Sequence, residues 1–411
     1  MARATSPVAV TGLGLFTPAG DSAETTWATV CAGRSQAAPD PRLAGLPVDF
    51  SCRVPVPEEE VDRRVGRKSW RMGRAEKFAV LAAREAVRDA GLDPKSWDGA
   101  RVATIIGCGM GGGEKWEEQQ ARLQERGPDM VSPLLIPLII PNLVSGGVSI
   151  DLGARGVSLT PASACASGAT AIAVARDLLA ADLCDIAVTG GAEAALGRLS
   201  TVGFWRMGAL SERADDIGGA SRPFAADRDG FVMAEGAGVL VLERVADATA
   251  RGARPRALLA GCGSTSDAFH PTSPPEGAQG AEAALRAALA EAGLSPYDVD
   301  HVNAHGTSTP LNDATEAGLI ARVLPHRPSV TGPKGVLGHT LGAAGAIEAA
   351  LTVLTIQHRR VPPIANLQAP APAFDIDCVT KQPRRQDVRT AVSHSFGFGG
   401  HNVVLALTAW P

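Results

Sequence analysis

The sequence predicts an α/β fold of two duplicated halves, with sheets and helices stacked in alternating layers. Three observations predict it: apolar strand-like runs that end in glycine, helices of amphipathic period between them, and segments that recur in the same order along the chain. At 411 residues the chain is long for one core, and its 45% hydrophobic residues leave ample apolar surface for two.

Val8-Ala-Val-Thr-Gly-Leu-Gly14 reads as a strand and its exit, so close to the start that no cleavable leader is expected before the fold. Phe78, Leu81, Ala82 and Ala86 follow at helical spacing, and Ala83-Arg-Glu-Ala-Val-Arg-Asp-Ala-Gly-Leu-Asp-Pro94 closes that helix at a glycine before a proline-marked turn. Val102-Ala-Thr-Ile-Ile-Gly107 is the next strand, Ala166 to Leu179 a helix, and Ile186-Ala-Val-Thr-Gly-Gly191 a further strand. The second half repeats these signals. Leu258-Leu-Ala-Gly-Cys-Gly263 answers the first strand, and Leu285 to Pro296 answers the first helix with its glycine and proline. Val302 to Gly306 answers Val102 to Gly107, the small-residue helix Gly342 to Ala350 answers the one beginning at Ala166, and Ala391 to Gly397 answers Ile186 to Gly191. Apolar strands between amphipathic helices imply a largely parallel, buried sheet in each half. The expected division is 1–255 and 256–411, with the strand ends meeting in the middle.

A net charge of -4 gives no reason to expect nucleic acid or an anionic membrane as partner. The apolar stretch Leu134 to Val144 is broken by Pro137 and Pro141 and is too short to span a bilayer. Seven cysteines without CxxC pairs point to the reducing cytoplasm. No HExxH or zinc-type spacing is present, so no catalytic metal is expected. Gly12 to Gly20 approaches a dinucleotide fingerprint, but Thr17 stands where the third glycine belongs, and a tight strand exit is the better reading. No cofactor is expected.

Four motifs carry chemistry. Cys165, in Pro161-Ala-Ser-Ala-Cys-Ala-Ser-Gly168, sits at a helix N-terminus, where free N–H groups and the dipole favour a thiolate and lower the thiol pKa. The alternative is a buried cysteine packed as a small hydrophobe. His305 follows a short strand onto a glycine turn. His339 lies in Thr331-Gly-Pro-Lys-Gly-Val-Leu-Gly-His-Thr-Leu-Gly342, with Lys334 five residues before it, in a loop whose glycines let backbone approach a ligand. Ser395-Phe-Gly-Phe-Gly-Gly-His-Asn402 could supply oxyanion-stabilising N–H groups, with Phe398 gating the site. Each alone is also compatible with a structural turn.

Together these motifs, with Arg222 to Gly238 and Ser266 to Thr272, closely resemble the β-ketoacyl-acyl carrier protein synthases of the thiolase superfamily, over essentially the whole chain. The likeness is strongest to the fatty-acid synthase II type and to ketosynthase subunits of type II polyketide systems. The resemblance implies a thiolase-like αβαβα fold and a decarboxylating Claisen condensation that elongates an acyl chain with malonyl-acyl carrier protein. It implies that Cys165 takes the acyl chain as a thioester, with the Cys165 and Phe398 N–H groups as oxyanion hole. His305 and His339 would bind the malonyl thioester carbonyl and stabilise the enolate. Lys334 would be an electrostatic lysine paired with Glu316. Thr307 and Thr309 would hold the phosphopantetheine arm, and Met110, Phe204 and Phe396 would shape the acyl pocket. A family monovalent-cation site would fall on backbone around Asn303, Ser393 and His394, plus Glu348. The implied partners are acyl carrier protein and a second subunit, either an identical copy or a homologous chain-length subunit. Departures are Cys108 where Ser or Thr is usual, Trp205 beside Phe204 where a small residue is common, and His394 for a frequent Asn.

Arg63, Arg64, Arg67, Lys68, Arg71, Arg74 and Lys77 form a basic stretch in an otherwise acidic chain. Positions 64, 67, 71 and 74 would share a helical face, making Arg67, Lys68, Arg71 and Arg74 candidates for docking an acidic carrier protein; a solvated helix face is the alternative. Three other functions share some of these residue types. A non-catalytic partner subunit would lack the nucleophile, a non-elongating thiolase would be expected to use a second cysteine near the C-terminus, and a papain-like hydrolase would need an Asn orienter.

Overall fold

In the computed structural model, which describes residues 7–411, the first strand, β1 (Val8–Phe16), is buried along its whole length. The expectation about a leader falls on residues 1–6, outside the described residues. The N-terminal half continues through α1 (Arg74–Asp89), β2 (Val102–Gly107), α2 (Leu143–Leu152), β3 (Ser158–Leu159), α3 (Ser167–Ala180), β4 (Ile186–Glu193) and β5 (Gly236–Arg244). The C-terminal half repeats the series as β6 (Ala257–Ser266), α4 (Gln279–Ala292), β7 (His301–Asn303), α5 (Pro310–Val323), β8 (Ser329–Thr331), α6 (Ala344–His358), β9 (Thr390–Gly397) and β10 (His401–Thr408).

Strand order is β3-β2-β4-β5-β1 in the first half and β8-β7-β9-β10-β6 in the second, the same order element for element. In each half three neighbouring strands pair in parallel, as expected; the last in sequence runs the other way and pairs antiparallel with one of them on one side and with the first strand on the other. An antiparallel return needs no crossover helix, which is why β10 can follow β9 after a three-residue turn. The arrays join where Val8–Val10 pairs with Ala257–Leu259, and Asp377–Cys378 extends the far edge beside β8.

The same close packing is built twice. A Cβ at Gly14 would lie 1.9 Å from the Ala82 carbonyl of α1, and one at Gly263 would lie 1.9 Å from the Ala284 carbonyl of α4. Any side chain at either place would push the helix off its sheet.

Helices α3 and α6 pack against each other between the two arrays, while α1 and α2 cover one outer face and α4 covers the other. A central helix has no solvent side, so α6 is apolar all round and buried from Ala344 to Ile356, with Glu348 the one charge in that run. Among the described residues no helix is long and apolar enough to cross a membrane.

The basic stretch does not form one helical face. The helix Glu58–Val65 stops at Gly66, whose φ of 101° is glycine territory; Ser69–Arg71 is a single 3-10 turn, and α1 starts anew at Arg74. Arg74 is withdrawn from any docking role: its guanidinium pairs with the buried Glu235 at 2.6 Å and with Glu58. Arg67, Lys68 and Arg71 are exposed, with Arg71 lying over the exposed Trp70 ring at 4.5 Å.

Candidate active site

Cys165 stands on a 3-10 turn, Ala164–Ala166, that leads directly into α3. The turn is braced by its own hydroxyls. Ser167 Oγ accepts the Ser163 N–H at 2.9 Å and donates to the Ala164 carbonyl at 2.7 Å, holding Ala164 at a left-handed φ of 50°. The sulfur is nearly enclosed and lies 3.1 Å from His339 Nε2.

The predicted low-pKa thiol does not follow. Burial pushes the Cys165 thiol up to about 12, with Lys334 pulling it down and Glu193 and Glu348 adding to the rise. Desolvation of the thiolate outweighs the start of one helix.

His339 is held by both halves. Its backbone N–H donates to the Val232 carbonyl at 2.7 Å and its carbonyl accepts the Ala234 N–H at 3.0 Å, while the Phe231 ring meets the imidazole edge-on at 5.0 Å. The Leu341 N–H donates to His339 Nδ1 at 3.3 Å. A neutral imidazole has one N–H, so an accepting Nδ1 places the proton on Nε2, facing the sulfur. His305 is arranged likewise: Lys334 Nζ donates to its Nδ1 at 3.3 Å and also to its carbonyl. The two rings stand 5.5 Å apart, nearly perpendicular. Burial holds both imidazoles well below the usual histidine range, and the Lys334 charge lowers them further, so both are neutral.

The expected Lys334–Glu316 pair is replaced by another. Lys334 pairs with Glu348 of α6, both side chains almost wholly buried. Glu316 of α5 lies elsewhere: it accepts the backbone N–H groups of His305 and Gly306, each at 2.8 Å, and lies 3.0 Å from His394 Nδ1. An acid in the second turn of α5 can reach the turn before that helix, and this leaves Lys334 to the central layer.

A cleft of about 240 Å³ brings together Cys165, His305 and His339 with Phe204, Phe396 and Phe398. Thr307 and Thr309 also line it, their hydroxyls 2.9 Å apart. Gly397 packs on the nucleophile turn, where a Cβ would lie 2.4 Å from the Ser163 carbonyl and 3.3 Å from the Cys165 nitrogen. The next residue, Phe398, has left the β9–β10 ladder.

Met110 is not in this cleft. It is 44% exposed, in a loop whose Gly112 N–H donates to the Ile139 carbonyl at 3.2 Å. Two lining or neighbouring residues were not singled out from sequence. Phe231 follows an unremarked glycine, whereas Glu193, a lone acid closing the glycine-rich end of a buried strand, left a signal that could have been read.

The implied cation site has support in unpaired oxygens. Asn303 and Ser393 are neighbours in register, and Asn303 Oδ1, Ser393 Oγ and Glu348 Oε2 are buried without hydrogen-bond partners. These fit a monovalent cation.

Residues 5–248 match the family described as beta-ketoacyl synthase, N-terminal domain, and residues 256–368 match beta-ketoacyl synthase, C-terminal domain. The chain is 42% identical over 405 residues to 3-oxoacyl-[acyl-carrier-protein] synthase 2 of Synechocystis sp., covering 97% of each. Its structure is similar to the ishigamide ketosynthase/chain length factor (TM-score 0.93, 34% identity, 99% of this chain and 100% of that one). It is also similar to a chain from a type II PKS acyl-carrier protein in complex with its ketosynthase bound to the hexaketide (TM-score 0.91, 30% identity, 99% and 100%). With two family domains matched in sequence order and full-length relatives of this identity, the chain belongs to the beta-ketoacyl synthase family.

Proposed function

We propose that the protein condenses an acyl chain carried on Cys165 with malonyl-acyl carrier protein, releasing CO2 and giving a β-ketoacyl-acyl carrier protein in fatty acid elongation. The observation that carries this reading is the enclosed Cys165 sulfur, 3.1 Å from His339 Nε2, with the second neutral imidazole of His305 beside it.

In the first step the sulfur attacks the acyl thioester, the carrier thiol departs, and the Cys165 proton ends on that thiol. The Nε2–H of His339 supports the charge that builds on sulfur. In the second step the malonyl thioester carbonyl takes hydrogen bonds from Nε2–H of both histidines. The C–C bond to the carboxylate breaks, its electrons pass into the enolate, and CO2 leaves. A neutral imidazole can donate one hydrogen bond without handing over its proton, which suits an enolate that must remain nucleophilic. The enolate carbon then attacks the acyl carbonyl. The oxyanion faces the Cys165 and Phe398 N–H groups, and collapse expels the Cys165 thiolate. Lys334 keeps Nδ1 of His305 an acceptor. A cation held by Asn303, Ser393 and Glu348 would add positive charge beside the Glu348 carboxylate.

Thr307 and Thr309 suit the phosphopantetheine arm, and Phe204 and Phe396 suit the acyl chain. Arg67, Lys68 and Arg71, with no acidic partner among the described residues, suit an acidic carrier protein. A second subunit fits the open edge strand β3, where Leu159 and, on the adjoining helix α2, Ile150 leave apolar surface exposed. Seven unpaired cysteines fit the cytoplasm.

A Cys165→Ala variant of unchanged melting temperature is expected to form no acyl-enzyme and no ketoacyl product by mass spectrometry; ketoacyl synthesis by that variant refutes the assignment. The second reading, a polyketide ketosynthase paired with a chain-length subunit, draws on the likeness to the ishigamide protein. Carrier-bound products from a ladder of acyl primers separate the two.

A further inference from the structure

Glu193 ends β4 with its carboxylate fully buried, and among the described residues it pairs with no lysine or arginine. Its oxygens instead collect backbone N–H groups: Gly109 at 2.7 Å, and Met110, Gly111 and Gly342 each at 3.2 Å, with the Cys108 thiol at 3.4 Å. A carboxylate is tolerated so deep only where such donors replace water. The arrangement has a counterpart in the other half, where Glu316 gathers the N–H groups of His305 and Gly306 on the turn after β7. Glu193 does the same for the equivalent turn after β2, with one addition. It also takes Gly342, which belongs to the His339 loop of the opposite half.

That extra bond has a specific neighbour. Leu341 holds a left-handed φ of 48°, which a leucine does not adopt unaided, and its N–H donates to His339 Nδ1. The very next N–H, that of Gly342, is the one Glu193 holds. The packing around it leaves no slack, since a Cβ at Gly342 would lie 2.5 Å from the Gly109 nitrogen and 2.7 Å from Glu193 Oε2.

We infer that Glu193 is a positioning residue for His339: by tying the turn after β2 to Gly342 it holds the Leu341 N–H on Nδ1, and so keeps the imidazole proton on Nε2, facing Cys165. The catalytic arm of this inference rests on the condensing reading above; the tautomer arm does not.

The test uses the full-length enzyme labelled with 15N-histidine, whose ring nitrogen shifts report the tautomer of His339, beside condensation kinetics with acyl and malonyl carrier proteins. Wild type is expected to be a single Nε2–H tautomer; an Nδ1–H ring overturns the inference with no variant needed. Glu193→Gln puts an amide NH2 among N–H donors. It is expected to give a mixture of tautomers and a kcat about tenfold lower or more, with KM for malonyl carrier protein changing less than about threefold. Glu193→Asp, which keeps the charge but withdraws it by one methylene, is expected to fall between, and it carries the test if Glu193→Gln does not fold. A folded variant that keeps the pure Nε2–H tautomer, or whose loss appears in KM with kcat intact, overturns the inference. Absence of condensation by wild type would count against the function alone and leave the tautomer result standing.

Discussion

The Lys334–Glu348 pair offers the sharpest separation of stability from chemistry. Both side chains are all but fully buried, at 2% and 3% exposure, so neither charge can fall back on water if its partner is removed. Breaking such a pair from one side costs about 3–5 kcal/mol, whereas replacing both charges by apolar groups of similar volume is close to neutral. Unfolding entropy near 2.1 cal/mol/K per residue over 411 residues is about 0.9 kcal/mol/K, so a single break lowers Tm by roughly 3–6 °C. Lys334→Met and Glu348→Leu are each expected to show that fall in scanning calorimetry, and the double variant to melt within about 2 °C of wild type. Activity follows the other logic. Lys334 is the donor that keeps His305 Nδ1 an acceptor, so both variants lacking it should lose condensation by about two orders of magnitude, including the one whose stability is restored. A double variant that melts lower by the sum of the single losses would refute the coupling.

Because burial pushes the Cys165 thiol up to about 12, alkylation of Cys165 by iodoacetamide, followed by mass spectrometry, should accelerate about tenfold per pH unit from pH 7 to 9; a plateau below pH 8 would mark a low-pKa thiolate and contradict this. His301, fully buried with Nδ1 3.0 Å from Ser329 Oγ, is held down to about 3 by desolvation. Below pH 6.5 the unfolded chain takes a proton that the folded ring refuses until about pH 3, so this site's stability is present above 6.5 and lost as pH falls, by up to about 2 kcal/mol between pH 6.5 and 5. His301→Asn should therefore flatten the acid side of a denaturation-versus-pH curve, and equal slopes for variant and wild type exclude the effect.

What was legible in the sequence was whatever has a local or repeated cause. The glycines at 14 and 263 recur because the same helix approaches the same strand in both halves, and the helix ends at Gly91 and Gly293 are the φ > 0 caps that glycine allows. The nucleophile and both histidines sat in short, unusual contexts that survive without three-dimensional information. Two of the failures were matters of partnership. Glu316 was paired with Lys334 on the strength of the family resemblance, but α6 brings Glu348 to the lysine from the central layer, a contact between residues that periodicity cannot connect. Arg74 looked like one more surface cation until its pairing with Glu235, far away in sequence, became visible. The thiol pKa failed for a different reason: a helix start is a local feature, and burial is not.

The duplication also explains why single motifs were weak evidence and the set was strong. Equivalent positions in the two halves have been given different chemistry: the turn after β7 carries His305 where the turn after β2 carries Cys108 and Gly109, and the lead-in to α3 carries Cys165 where the lead-in to α6 carries Leu341 and Gly342. Each such turn is an ordinary strand exit or helix entry, which is how it reads in isolation. Packing α3 on α6 brings the two lead-ins together, and only then does the sulfur of one half meet the imidazole of the other at 3.1 Å. A change that loosens the central layer should therefore cost activity before it costs the fold, because each half keeps its own sheet and outer helices while the reacting groups belong to neither half alone.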